Sequence, residues 1–430
     1  MQNPVYPRLL SSMNYFFARL LALALVGLLS LGGCAKNDAT PSATPTTGTP
    51  PDLHTTYLKL LADGTNQALP LQKAIDSCSA AGGGTLVLRK GTYTTGPIYM
   101  KSSVTLRLDT LATLLASPHM ADFTVGGKVV NLINGPSTPI HDVTLSGAGT
   151  IDGNGAPWWA AFQANSALVR PRLIYISACQ NLTVTGLTLT NSPSFHLVPS
   201  QCQNVVINRV KIIAPATSPN TDGIDPANCN LVSITNCTID TGDDCIAIKS
   251  GRVNNALVDA CQNLTVTGCT FLHGHGLSIG SETSSGVKNL TVSNCTFTNT
   301  DNGIRIKSEP GLGGLVQNVS YSHITMTNVK NPLVINMAYA LNPNNTYPTD
   351  IPSVVGMTVD HLTVTGAKNA GSLVGLTTLP IQNLTLSNLT ISAETGLVIQ
   401  NATGVVLSNW VINVASGKPV STQNVQGTGF

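Results

Sequence analysis

The chain has 430 residues, of which 10% are charged and 5% aromatic, with 22 Lys and Arg against 20 Asp and Glu. Without a basic surplus there is no field for nucleic acid or for an anionic membrane surface, so any pull on a polyanion must be local. Few aromatics among many Asn, Thr, Ser, Val and Gly suit a thin core of stacked aliphatic side chains.

Arg8 and Arg19 precede an apolar run, Leu20 to Leu31, that ends in Leu31-Gly32-Gly33-Cys34. A basic start, an apolar stretch too short to span a bilayer and small residues before the cut describe an export signal over 1–33. The Leu-Gly-Gly-Cys ending resembles a bacterial lipobox, which makes Cys34 the lipidated first residue of the mature chain. A plain signal with an incidental Cys is the alternative, and Met13 serves as well as Met1 for the start. Removing 1–33 deletes only Arg8 and Arg19 among charged residues, leaving no net formal charge. Residues 34–52 are rich in Thr, Pro, Ala and Ser and read as a flexible tether. The expected protein is exported, either secreted or bound to the envelope, with membrane contact only through lipid on Cys34. Residues 53–430 form one domain, expected to be a monomer.

Leu71, Ala74, Ile75 and Cys78 fall on one face at helical spacing, and the pattern stops before Ala80-Ala81-Gly82-Gly83-Gly84. This short helix suits the cap of a solenoid, whose open end exposes strand edges. Strands over Thr85–Arg89 and Val104–Asp109 are predicted to begin the solenoid. Similar segments then recur from Asn181, Asn204, Asn230, Asn263 and Asn289, at steps of 23, 26, 33 and 26 residues, with weaker copies near Asp142, Asn318, Gly356, Asn383 and Gly404. Each alternates apolar and polar residues, is rich in Val, Ile and Thr, and is broken by Asn or Gly, as short strands joined by turns are. A repeat of this kind predicts an all-β fold, a right-handed parallel β-helix whose rungs stack at roughly 4.8 Å.

Nine cysteines follow Cys34, with no metal-type spacing among them. Export permits disulfides. Yet Cys237, Cys269 and Cys295 hold nearly the same place in successive repeats, which suits a ladder of small core residues. Nine is odd, so at least one thiol is free or pairs between chains, and the pairing is open.

The chemistry sits in four short motifs: Asn220-Thr221-Asp222, Gly242-Asp243-Asp244, Gly274-His275-Gly276 and Arg305-Ile306-Lys307. Asp222 to Asp243 is 21 residues, Asp244 to His275 is 31 and His275 to Arg305 is 30, each about one repeat. A β-helix stacks them in a column about 15 Å tall, three rung spacings. Paired carboxylates are what cleavage of a glycosidic bond by acid and base requires. Adjacent carboxylates repel, so one should keep its proton. Arg305 and Lys307 point to one face of a strand and can hold an anionic sugar. These residues suggest a hydrolase of an acidic polysaccharide.

In this order and spacing the four motifs resemble the signatures of the family 28 glycoside hydrolases, the polygalacturonases, and the similarity runs from about Asp63 to at least Tyr339. The resemblance implies a pectic polysaccharide, polygalacturonate, as substrate, and no cofactor or metal. It implies Asp243 as general acid, and Asp222 and Asp244 as the pair that holds and activates water, giving inversion. His275 helps keep the acid protonated or places the sugar, and Arg305 and Lys307 bind the galacturonate carboxylate. Tyr339 matches the family's downstream tyrosine, although its flanking residues differ from the commoner pattern.

Plainer roles remain for several residues. Asp225 can simply cap backbone amides of a turn. His196 and Lys249 can be structural, and His273 has no assigned role. Two other functions share the scaffold: a calcium-dependent lyase cutting pectate by β-elimination, and a non-catalytic carbohydrate-binding or adhesive β-helix. Endo or exo action, and tolerance of methyl esters or xylose, stay open, because the position of Ala340–Pro352 relative to the groove cannot be read from the sequence.

Overall fold

The computed structural model describes residues 54–59, 64–339 and 347–430; the signal segment 1–33, Cys34 and the tether to residue 52 lie outside the described residues. The chain winds as the predicted parallel β-helix. Its strands pair rung on rung in three columns. One column runs through Cys179–Thr185, Gln203–Asn208, Asn230–Thr235, Cys261–Thr267 and Val287–Ser293. A second, of shorter strands, includes Thr188–Thr190, Lys211–Ile213 and Thr238–Asp240. The third runs through Ile174–Ser177, Leu197–Ser200, Ile246–Ile248, Leu277–Ile279 and Asn302–Lys307. This last column bears the four motifs.

The alternating pattern turns every second side chain inward. Leu182, Val205, Val232, Leu264, Leu290 and Val319 stack directly on one another, and each is buried. Burying each such side chain stabilises by roughly 1.5–3 kcal/mol relative to leaving it exposed. The Asn that opens most copies has a backbone reason. Asn181, Asn204, Asn263 and Asn289 have φ of 63°, 58°, 58° and 56°, a left-handed conformation that Asn tolerates better than most residues. Their amides also bond along the stack, with Asn204 Nδ2 donating to Asn181 Oδ1 at 2.9 Å and Asn289 Nδ2 to Asn263 Oδ1 at 2.9 Å.

The copy at Asn230 is one residue out of step. Asn230 pairs with Gln203 and Gln262, so the left-handed position of that rung falls on Leu231, at φ 57°. The sequence similarity aligned the Asn, whereas the buried Val232 fixes the register.

The N-terminal helix spans Ala68–Ala80 and buries Leu71, Ile75 and Cys78, longer at both ends than its periodic core. The solenoid begins earlier than predicted, because His54–Tyr57 pairs in parallel with Gly84–Leu88. A second helix, Ala156–Ala164, was not anticipated. Its Ala-Pro-Trp-Trp-Ala-Ala-Phe run is apolar nearly all round and shows no helical stripe. It buries Trp158, which meets Phe123 edge-on at 6.0 Å between centroids.

The nine cysteines from Cys78 to Cys295 are all buried and none forms a disulfide. Cys237, Cys269 and Cys295 occupy one position on three successive rungs, immediately before the paired Thr238, Thr270 and Thr296. The ladder reading therefore holds for these three.

Candidate active site

Register builds the site. Asp222, Asp244, His275 and Asn302 each lie two residues before a paired strand position, namely Ile224, Ile246, Leu277 and Ile304, so four consecutive rungs align them. Asp243 adjoins Asp244, and Arg305 and Lys307 lie further along the fourth rung. The glycines flanking His275 have a steric cause. Gly274 has φ 87° and a Cβ there would lie 2.2 Å from the Asp243 carbonyl oxygen; Gly276 has φ 76° and its Cβ would lie 2.1 Å from that of Asn302. Only glycine lets the His275 turn sit this close to both neighbouring rungs.

Asp244 is fully buried and held from three sides. Lys307 Nζ lies 2.9 Å from Oδ2, Arg305 Nη1 lies 3.2 Å from Oδ1, and Ser278 Oγ donates to Oδ1 at 2.8 Å. Arg305 and Lys307 are themselves 8% and 9% exposed, so this is a buried cluster of one acid and two bases. Arg305 Nη2 also reaches the Tyr339 hydroxyl at 3.1 Å, and the Tyr339 ring lies 5.4 Å from both cations.

Asp243 faces His275. His275 Nδ1 lies 3.1 Å from Asp243 Oδ1, while its Nε2 lies 3.5 Å from Asp301 Oδ2. The Asp244 amide donates to Asp243 Oδ1 at 2.8 Å, and Asn220 Nδ2 approaches Oδ2 at 3.4 Å. Burial alone would raise the Asp243 carboxyl, but the His275 hydrogen bond and charge, the Asp244 amide and Lys307 together hold it below the usual range. The same bond to Asp243 outweighs burial at His275 and raises its imidazole above the ordinary value. The pair therefore favours imidazolium and carboxylate.

Asp222 is 4% exposed and its Oδ1 has no hydrogen-bond partner among the described residues. Burial first, then the Asp225 and Asp243 carboxylates, push its carboxyl well above the usual range against the pull of Lys249. The acid that keeps its proton more tightly is Asp222 rather than Asp243, through burial first and repulsion by the neighbouring carboxylates second. Asp225 is as deeply buried, and burial pushes it up to about 7 despite Lys249 Nζ at 3.7 Å. Neither of its oxygens accepts a hydrogen bond among the described residues, so it caps no backbone amide.

His196 is fully buried with a structural part. Its Nδ1 donates to the Asp222 carbonyl at 3.0 Å, its Nε2 lies 3.4 Å from the Ser192 amide, and burial lowers it to about 4. It is neutral and fixes the backbone from which Asp222 projects. Lys249 stands between Asp225 and Glu282, and His273 bonds Asp240 at 2.6 Å.

Three supporting residues escaped the sequence reading. Ser278 braces Asp244, and Asp301 faces the far nitrogen of His275. Arg170 donates to the Asn220 side-chain oxygen at 2.7 Å and to the carbonyls of Pro193 and Pro219, orienting the amide that approaches Asp243. The strand register would have found Ser278, which pairs with Arg305. Nothing in the local sequence marks Arg170, because its contacts cross 23 to 50 residues.

The pattern that defines glycosyl hydrolases family 28 matches residues 78–424. The chain belongs to that family. The endo-polygalacturonase of Pectobacterium carotovorum subsp. carotovorum is 32% identical over 352 residues, covering 76% of this chain and 84% of that one. The polygalacturonase of Juniperus ashei is 36% identical over 60% of this chain, which spans about half, 52%, of that longer relative. The solved polygalacturonase from Erwinia carotovora ssp. carotovora superimposes with a TM-score of 0.68 at 30% identity, over 86% of this family 28 chain and 96% of its own.

Proposed function

We propose that this family 28 hydrolase cleaves the α-1,4 bonds of polygalacturonate or pectin with inversion. The reading rests on one observation above all: three carboxylates on adjacent rungs stand beside two buried cations. Asp243 donates the proton to the glycosidic oxygen, and Asp222 with Asp244 holds and activates the water. Asp243, held below the usual range by His275, must gain a proton when substrate binds. A galacturonate carboxylate drawn to Arg305 and Lys307 offsets the positive charge that stabilises Asp243, and the sugar displaces water; both changes raise its carboxyl. His275, hydrogen-bonded to Asp243, is the nearby source of that proton.

Arg305 and Lys307 have donors to spare for a uronate, because Asp244 and Tyr339 use only part of the guanidinium fork and of the ammonium. Lys307→Ala should mainly raise KM, and Arg305→Ala should damage both parameters, each costing about ten- to a hundredfold in kcat/KM. The penalties should shrink on methyl-esterified polymer, which has no carboxylate to hold. Equal penalties on free and esterified polymer would mean that the pair serves only Asp244.

Metal-dependent elimination fits the site poorly. One donor atom each from Asp243, Asp244 and His275 lies within 4.8 Å of the others, a spacing a cation could use. Yet Arg305 and Lys307 already contact Asp244, and a divalent ion there would meet two fixed positive charges. EDTA should leave activity intact and reducing ends should appear without unsaturated-uronate absorbance. Loss with EDTA, restored by calcium, would return the lyase reading.

Export through the 1–33 signal, with Cys34 as a lipid anchor and the tether as spacer, belongs to the same proposal; labelled fatty acid incorporated in wild type and lost in Cys34→Ala would support it. Product sizing on polygalacturonate separates endo action, a ladder of oligomers, from exo action, mono- or digalacturonate from the outset.

A further inference from the structure

The column that aligns Asp222, Asp244 and His275 continues two rungs toward the N-terminus. Phe195 lies two residues before Leu197 and Arg172 two before Ile174, so both occupy the register position of the acids. Arg172 therefore stands three rungs from Asp244, about 14 Å along the groove. It lies on the side of the acids opposite to Arg305 and Lys307.

Arg172 is held by two aromatic rings and makes no direct ion pair among the described residues. Its guanidinium lies over the Tyr175 ring at 4.9 Å and near Phe195 at 5.4 Å. It lines two cavities. One, of about 360 Å³, reaches Asn220, the amide that approaches Asp243; the other, of about 410 Å³, is walled by Asp225 and Lys249. The neighbouring cations are all engaged: Lys249 with Asp225 and Glu282, Arg252 with both oxygens of Asp350, Arg170 with carbonyls, and Arg305 and Lys307 with Asp244. Among the described residues, the Arg172 side chain alone in this set makes no hydrogen bond or ion pair, although its charge is felt at the Asp225 carboxyl across the second cavity.

We propose that Arg172 is a specificity-determining residue, gripping the carboxylate of a galacturonate about three units from the cleaved bond. The inference rests on the polygalacturonate reading above. A guanidinium presents a planar fork matched to a carboxylate, and the two rings fix it in place, so little ordering is lost when the uronate arrives. Each 1,4-linked sugar advances by a length comparable to one rung, so only a chain long enough to span the acids and three further rungs feels Arg172.

The test compares wild type with Arg172→Gln on di-, tri- and hexagalacturonate and on fully methyl-esterified hexamer. On the free hexamer kcat/KM should fall by roughly tenfold, the size of one partly solvated charge-assisted contact. Dimer and trimer should be unaffected, the cut in an end-labelled hexamer should move, and Arg172→Lys should recover part of the loss. On the esterified hexamer the two enzymes should match. A loss of the same size at every length, or on free and esterified hexamer alike, would reduce Arg172 to a structural part. No loss on any substrate would also overturn the proposal while leaving the polygalacturonate reading standing. If wild type cleaves none of these oligomers, that reading falls and the proposal with it.

Discussion

Asp243→Asn will lose nearly all turnover on polygalacturonate, by about a thousandfold, with KM little changed, because an amide occupies the same space but has no acidic proton to give. The decisive comparison uses an oligogalacturonide with an activated aryl leaving group, which departs without protonation. Asp243→Asn should regain most of its activity there, whereas Asp222→Asn, lacking an activated water, should stay slow on both substrates. The contrast is needed because burial holds Asp222, and not Asp243, above the usual carboxylate range. If rescue appears in Asp222→Asn and not in Asp243→Asn, the two acids exchange roles.

Asp244→Asn will damage both catalysis and the fold. It removes the only carboxylate in direct contact with Arg305 and Lys307 among the described residues, leaving two nearly buried cations, 8% and 9% exposed, with no counter-charge in contact. Removing one partner of a buried ion pair typically costs about 3–5 kcal/mol, so the melting temperature should drop by several degrees. Lys307→Met in the Asp244→Asn background should restore part of that stability without restoring turnover. A variant as stable as wild type would show that water reaches the cluster freely.

The sequence was most informative where one residue type has one physical job. The repeating Asn marked left-handed turns, the alternating Val, Ile and Leu marked the inward face, and the four motifs fell on adjacent rungs because their spacing matches the repeat. It was least informative where several residue types can do the same job. Leu231 fills a left-handed position that Asn fills elsewhere, so the neighbouring Asn230 misaligned that copy. Asp225 looked like an ordinary turn acid, and only its enclosed carboxylate, with no amide to cap, shows otherwise. The state of each carboxyl was legible only as a rule that one must keep a proton. Which one depends on the burial of Asp222, on Asp225 lying near it and on His275 lying 3.1 Å from Asp243, none of which any spacing in sequence supplies.

The buried cysteines make chemical durability a property of the finished winding. Burial pushes the Cys179 and Cys261 thiols up to about 12, while hydrogen bonds with neighbouring thiols lower Cys202, Cys237 and Cys295, so the shelter all nine share is their enclosure from solvent. An unwound chain has no such shelter: nine sulfurs spread along it can be trapped in many wrong pairings before the rungs close. The folded enzyme should shrug off peroxide, while its newly made chain depends on winding faster than it oxidises.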